Sequence, residues 1–209
     1  MARFLTILSL VAATAFIFIL FALHILSPDI DPMVSGISFY ALGRFGILLD
    51  LALVLVGFSG IALALALWSS TTISRLGLVL LIAWGLLSIL AGLFPLDAPG
   101  SAPTLSGRIH NLAGLNFLLI APALLLIEKG ETAAEPNRPR NITTWLAWLL
   151  AAAAVLLFVF NGPLSALQVG GAFQRFYWLI LVLWLGFTAW SVWLREREKT
   201  LAHKSAVVP

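Results

Sequence analysis

The chain has 209 residues, 61% of them hydrophobic and only 10% charged, with a formal net charge of +3 and a mean hydropathy of +1.05. Soluble domains carry roughly 25% charged residues, so a water-soluble fold is excluded and the bilayer is the solvent this composition calls for. No basic patch stands apart from the apolar runs, so the pI of about 9.8 reads as charge at helix ends and not as a nucleic-acid surface.

Six apolar runs follow one another, near 4–26, 45–68, 76–95, 109–127, 144–161 and 176–194. Each approaches the roughly 20 residues that a spanning helix needs. The runs are continuous and do not alternate as barrel strands do. The expected fold is therefore all-α: one polytopic six-transmembrane-helix bundle built as three helical hairpins, with a cytoplasmic tail over 195–209. The first run has too long an apolar core for a signal peptide and ends at LHILSPD, with no small-residue cleavage site, so it predicts an uncleaved first helix. The chain has no cysteine, which removes disulfide and thiol chemistry.

Of the twelve Lys and Arg residues, nine fall at the ends shared by the termini and the even-numbered loops. These are Arg3, Arg75, Lys129, Arg138, Arg140, Arg195, Arg197, Lys199 and Lys204. The positive-inside rule then places both termini in the cytoplasm. The remaining three, Arg44, Arg108 and Arg175, stand 64 and 67 residues apart, each at the outer start of an even-numbered helix. Related outer corners of three hairpins would give that spacing, and so would unrelated arginines that each snorkel from a helix end to the interface.

The outer loops read SPDIDPMVSGISFYALGR, FPLDAPGSAPTLSGR and NGPLSALQVGGAFQR. Their Pro, Gly and Ser content makes them turn tightly. They gather His24, Asp29, Asp31, Ser38, Tyr40, Arg44, Asp97, Arg108, His110 and Arg175 at one rim. Asp50 is the one ionisable residue expected deep in a helix, where a lone Asp costs on the order of 2.5–3.5 kcal/mol. It is expected to meet a neighbouring helix, as a structural hydrogen bond or as the floor of an outward cavity. Tyr40 with Arg44, and Arg108 with Asn111, are expected to share helix faces. His110, on the side of Gly107 and Gly114, is expected to point into the bundle.

The expected site is thus an outward polar cup: His24, Asp31, Ser38, Tyr40, Arg44, Asp50, Asp97, Arg108, His110 and Arg175. Arginine forks suit phosphate or carboxylate, so one reading is a lipid head group or isoprenoid phosphate with its tail between helices. A competing structural reading has the arginines neutralise Asp29, Asp31 and Asp97. Another reading uses His24 and His110 as axial haem ligands, or joins them to Asp31 or Asp97 around a metal. A membrane-embedded hydrolase or transferase could draw on Ser27, Ser38, Tyr40, Ser101, Thr104 or Ser106 as the hydroxyl. Transport is disfavoured by the apolar inner halves of the helices. No cofactor can be chosen. Membrane lipids are the expected surroundings. The tryptophans of the last two helices, among them Trp145, Trp148, Trp184 and Trp190, allow a membrane-protein partner or a homo-oligomer.

Three segments, HILSPDIDPMVSGISFYALGRFG, LFPLDAPGSAPTLSGRIHNLAG and FQRFYW, resemble the bacterial membrane family called Domain of Unknown Function 998. The resemblance covers nearly the whole chain. It implies a six-pass protein of a prokaryotic inner membrane, and its pattern falls on His24, Pro28, Asp31, Pro32, Ser38, Tyr40 and Arg44 in the first segment. In the later segments it falls on Phe94, Pro95, Asp97, Gly107, His110 and Arg175. It implies no reaction.

Overall fold

A computed structural model of the chain describes residues 1–70, 72–134, 142–159 and 161–207. Among these the elements are α1 (Ala2–Leu26), a 3-10 turn (Ile37–Leu42), α2 (Gly46–Leu67), α3 (Arg75–Leu93), α4 (Leu105–Gly114), α5 (Phe117–Ala134), α6 (Ile142–Val159), α7 (Asn161–Ala166) and α8 (Gly170–Val207). Six stretches are long and apolar enough to cross a membrane, and no strand occurs among the described residues. The predicted Arg138 and Arg140 lie outside the described residues.

α1 packs on α2, α2 on α3, α3 on α4 and α5, α5 on α6, and α6 on α8, which returns to α1. The three hairpins are present within a closed ring. Six crossings bring both termini to one end. The loops after α1, α3 and α6 meet at the other, here called the loop end.

Close helix approach is set by small residues, because lipid tails give helices no hydrophobic reason to associate. At the α2–α3 crossing a Cβ on Gly57 would strike the Gly85 carbonyl, and a Cβ on Gly85 would strike that of Gly57. Nearby, Gly60 leaves room for the Trp84 ring. Trp84 and Trp178 then meet at a tilt across the bundle, 6.4 Å between centroids, and Phe16 of α1 adds a ring 5.1 Å from Trp178. Ser59 of α2 donates to the Ser9 carbonyl of α1 at 2.9 Å, which satisfies a hydroxyl that hydrocarbon cannot solvate.

Two boundaries differ from the sequence reading. The fourth crossing spans Leu105–Glu131, not 109–127, and breaks between α4 and α5. Asn116 marks the break: its amide donates to Ser88 Oγ at 2.9 Å, and Ser88 donates back to the Trp84 carbonyl. The last helix also runs on past 194 through the expected tail. The charges there continue it, with Lys199 paired to Glu196 at 2.7 Å one turn away.

Candidate functional site

The loop end is built around Arg175. Gly171, one turn earlier on α8, has no side chain, so the loop-one carbonyls of Pro32 and Ser35 lie directly against it. The Ala172 N–H donates to the Met33 carbonyl at 3.0 Å and pins that loop to α8. Arg175 Nη1 then donates to the carbonyls of Pro32 (2.8 Å), Ser35 (2.7 Å) and Gly171 (3.0 Å). Nη2 donates to Tyr40 Oη at 3.1 Å, and Nε to His24 Nε2 at 2.8 Å. A guanidinium can only donate. His24 Nε2 is therefore an acceptor, its proton sits on Nδ1, and Nδ1–H donates to the Leu20 carbonyl at 2.6 Å. Loop one, the 3-10 turn, α1 and α8 are locked together by one side chain.

His110 anchors a second cluster. It is buried on α4, as its glycine-flanked face predicted. Its Nδ1 lies 2.9 Å from the Ala91 carbonyl and 3.0 Å from that of Phe94. Both partners are acceptors, so Nδ1 carries the proton. In the neutral ring Nε2 is then the acceptor for the Ser38 hydroxyl at 3.2 Å. Asp50 of α2 lies within electrostatic reach of His110, and its Oδ1 is buried with no hydrogen-bond partner. Its backbone carbonyl packs against Gly92, next to Ala91.

Asp97 builds a third feature, the start of α4. Its Oδ1 accepts from Thr104 Oγ1 at 2.6 Å and its Oδ2 from the Thr104 N–H at 2.8 Å, while Thr104 Oγ1 caps the Gly107 N–H at 3.1 Å. The Thr104 hydroxyl first, then its N–H, hold the Asp97 carboxyl below the usual carboxylate range, with a smaller contribution from Arg108. A depressed folded value stabilises the fold above the ordinary carboxylate pKa and is lost as pH falls through it. The stability gap between wild type and Asp97→Asn is therefore expected to stay level from pH 7 to 5. It should close as pH drops below about 3.9, as read by thermal unfolding in detergent.

The rim is less uniform than the sequence implied. Asp29 and Asp31 are exposed, and Asp31 accepts from the Met33 N–H at 2.8 Å, making a local turn. Tyr40 is fully buried whereas Arg44 is exposed, so the two do not share a face: the 3-10 turn ends between them. Arg44 lies against the Phe45 ring. Arg108 and Asn111 are both exposed on one face of α4. Only Arg175 of the three arginines turns into the protein. Both ring nitrogens of His24 and of His110 are engaged within the protein, and no group of three metal-ligating side chains occurs among the described residues. The arrangement does not fit a pair of axial haem ligands.

Glu128 corrects the reading of Asp50 as the one ionisable residue inside a helix. It is buried on α5, with Oε1 accepting from Trp184 Nε1 at 3.0 Å and Oε2 from Thr144 Oγ1 at 2.8 Å. The charged run EKGE looked like a loop, and α5 simply continues through it. The partner of Trp184 thus lies inside the bundle, while Trp145, Trp148 and Trp190 point outward.

A cleft of about 570 Å³ opens beside these clusters, between the α4–α5 break, α6, the start of α8 and loop one. Its walls include Val34, Phe39, Leu115, Phe117, Leu157 and Phe158, and Gln174 supplies the polar side chain of its lining. Gln174 Oε1 accepts from the Ile37 N–H at 2.6 Å. Among the described residues, no Lys, Arg, Asp or Glu lines the cleft.

These features define a multi-pass helical membrane protein with two hydrogen-bonded clusters, around Arg175 and His110, at its loop end. Residues 10–191 match the family described as Protein of unknown function (DUF998), and the chain belongs to that family. No curated protein and no solved structure matches it.

Proposed function

We propose that this protein binds a membrane amphiphile at the loop end, with the apolar chain in the cleft and the head group at the rim. The carrying observation is the cleft itself: about 570 Å³, with Val, Leu and Phe side chains on its walls, Gln174 among its lining, and polar atoms sharing its surface. Ligand pockets of roughly 300–1,000 Å³ with a few convergent polar groups have this character. Arg108, Asn111 and Leu115 fall at i, i+3 and i+7 on one stripe, and Leu115 lines the cleft. A polar stripe thus leads, over roughly 10 Å, into the cleft. The exposed Arg108 favours an anionic head, such as a lipid phosphate or an isoprenoid phosphate. Arg175 serves as scaffold in this reading, because its donors are committed to the protein. The distribution of basic residues favours cytoplasmic termini, and hence a loop end on the far side of a prokaryotic inner membrane.

Gly114 provides the test. It lines the cleft, and a Cβ added there meets nothing within 4 Å. Gly114→Phe is expected to fill the slot while leaving the fold intact. Native mass spectrometry of protein released from its own membrane should show a lipid adduct on wild type, and at least a tenfold lower occupancy on Gly114→Phe. Equal lipid retention by a folded Gly114→Phe protein would rule out the cleft as the binding site.

A further inference from the structure

The geometry points to Ser38 as a nucleophile and His110 as its base, acting on an acyl ester of a membrane lipid. This rests on the amphiphile-binding reading for its substrate, but the pair itself stands on separate observations. Ser38 Oγ is 3.2 Å from His110 Nε2, within the slightly loose range of an unliganded nucleophile–base pair. The base is oriented from behind, by the Ala91 and Phe94 carbonyls on Nδ1–H. That hydrogen bonding selects the tautomer whose free nitrogen faces the hydroxyl. Those two carbonyls also stabilise the imidazolium that forms when the proton arrives. The Asp50 carboxyl adds to this as a positioning group: it is within electrostatic reach of His110, and its buried Oδ1 has no partner. A buried, unpartnered acid oxygen costs free energy, and a cationic His110 would offset that cost.

Ser38 is partly exposed and lies between Gly36 and Phe39, both of which line the cleft. Gln174, held by Ile37, lines the cleft and carries an Nε2–H2 donor. It is the donor available to a developing oxyanion. An ester suits the site better than a phosphoryl centre, because the cleft lining has no cation to meet charge on equatorial phosphate oxygens. In the step, Ser38 Oγ bonds to the ester carbonyl carbon as its proton passes to His110 Nε2. The ester C–O bond then breaks, and the departing alcohol takes that proton. Water, or a second lipid hydroxyl, reverses the sequence by giving His110 a proton and accepting the acyl group, which frees Ser38.

The test uses the whole protein in detergent with two serine-reactive probes, an ethyl and a hexadecyl fluorophosphonate. The expected result is one adduct per chain, on the peptide containing Ser38, and none on Ser38→Ala. His110→Gln is expected to slow labelling at least a hundredfold. Asp50→Asn should lower the maximal labelling rate and leave the half-saturating probe concentration unchanged, which a merely structural role would not do. Because the chain has no cysteine, Ser38→Cys gives a unique thiol. Its alkylation should be faster with His110 present than in the His110→Gln background. Folded wild type that takes neither probe at Ser38, together with a Ser38→Cys thiol indifferent to His110, overturns the proposal. Labelling by the ethyl probe with no preference for the hexadecyl one, and no effect of Gly114→Phe, would keep the Ser38–His110 pair and remove the cleft as the site of its substrate.

Discussion

Gly57→Val is expected to cause the largest loss of stability of any single change in the membrane-spanning region. Its Cβ would meet the Gly85 carbonyl and the Ile89 side chain, and a carbonyl in a helix cannot rotate away. α2 and α3 must separate, and Trp84, which packs beside Gly60 one turn further on, loses its seat. Overpacking of a rigid core costs about 1–3 kcal/mol, occasionally more, and a backbone obstruction belongs at the upper end. Thermal unfolding in detergent and the yield of monodisperse protein should both fall sharply. Gly85→Val meets the same crossing from the other side, so the double variant should cost much less than the sum of the two. Gly186→Ala is the control: its Cβ meets nothing within 4 Å, and it should be neutral or slightly stabilising.

Arg175→Lys is the second large effect, and it separates charge from shape. Lysine keeps the positive charge but cannot reach the Pro32 and Ser35 carbonyls, His24 Nε2 and Tyr40 Oη at once. Hydrogen bonds to charged groups are worth roughly 1.5–3 kcal/mol each, and several are lost together. The expected outcome is a destabilisation of about 3 kcal/mol for Arg175→Gln, of which Arg175→Lys recovers less than half. Protease cleavage within loop one should accelerate in both variants, since that loop is held to α8 mainly here. If Arg175→Lys unfolds at the wild-type temperature, the forked network is not what holds the loop.

Much of this architecture was legible in the sequence, for a physical reason: hydrocarbon demands continuous apolar helices, and six were plain. Three things were not. Asn116 sits inside the fourth apolar run, and nothing along the chain marks it as a break. Its amide in fact satisfies a broken crossing through Ser88. Glu128 looked like the start of a loop because charge normally ends a span. Here Trp184 and Thr144 supply the hydrogen bonds that let it stay inside. The three arginines looked equivalent by spacing, yet only Arg175 has a glycine one turn away that admits loop-one carbonyls. Spacing along the chain cannot show which backbone groups a third element delivers. His110 was expected to face inward, and it is buried. What no periodicity could reveal was that the 3-10 turn splits its residues, giving Ser38 to His110 and Tyr40 to Arg175.

The central claim is that a lipid chain occupies the cleft at the α4–α5 break. The most direct measurement is photo-crosslinking in native membranes fed a fatty acid that carries a diazirine midway along its chain. The account predicts crosslinks concentrated on the peptides bearing Leu115, Phe117, Leu157 and Phe158, and their loss in Gly114→Phe. Crosslinks spread evenly over the outward apolar faces of α1 and α8, such as Phe18 and Phe187, and unchanged by Gly114→Phe, would contradict it.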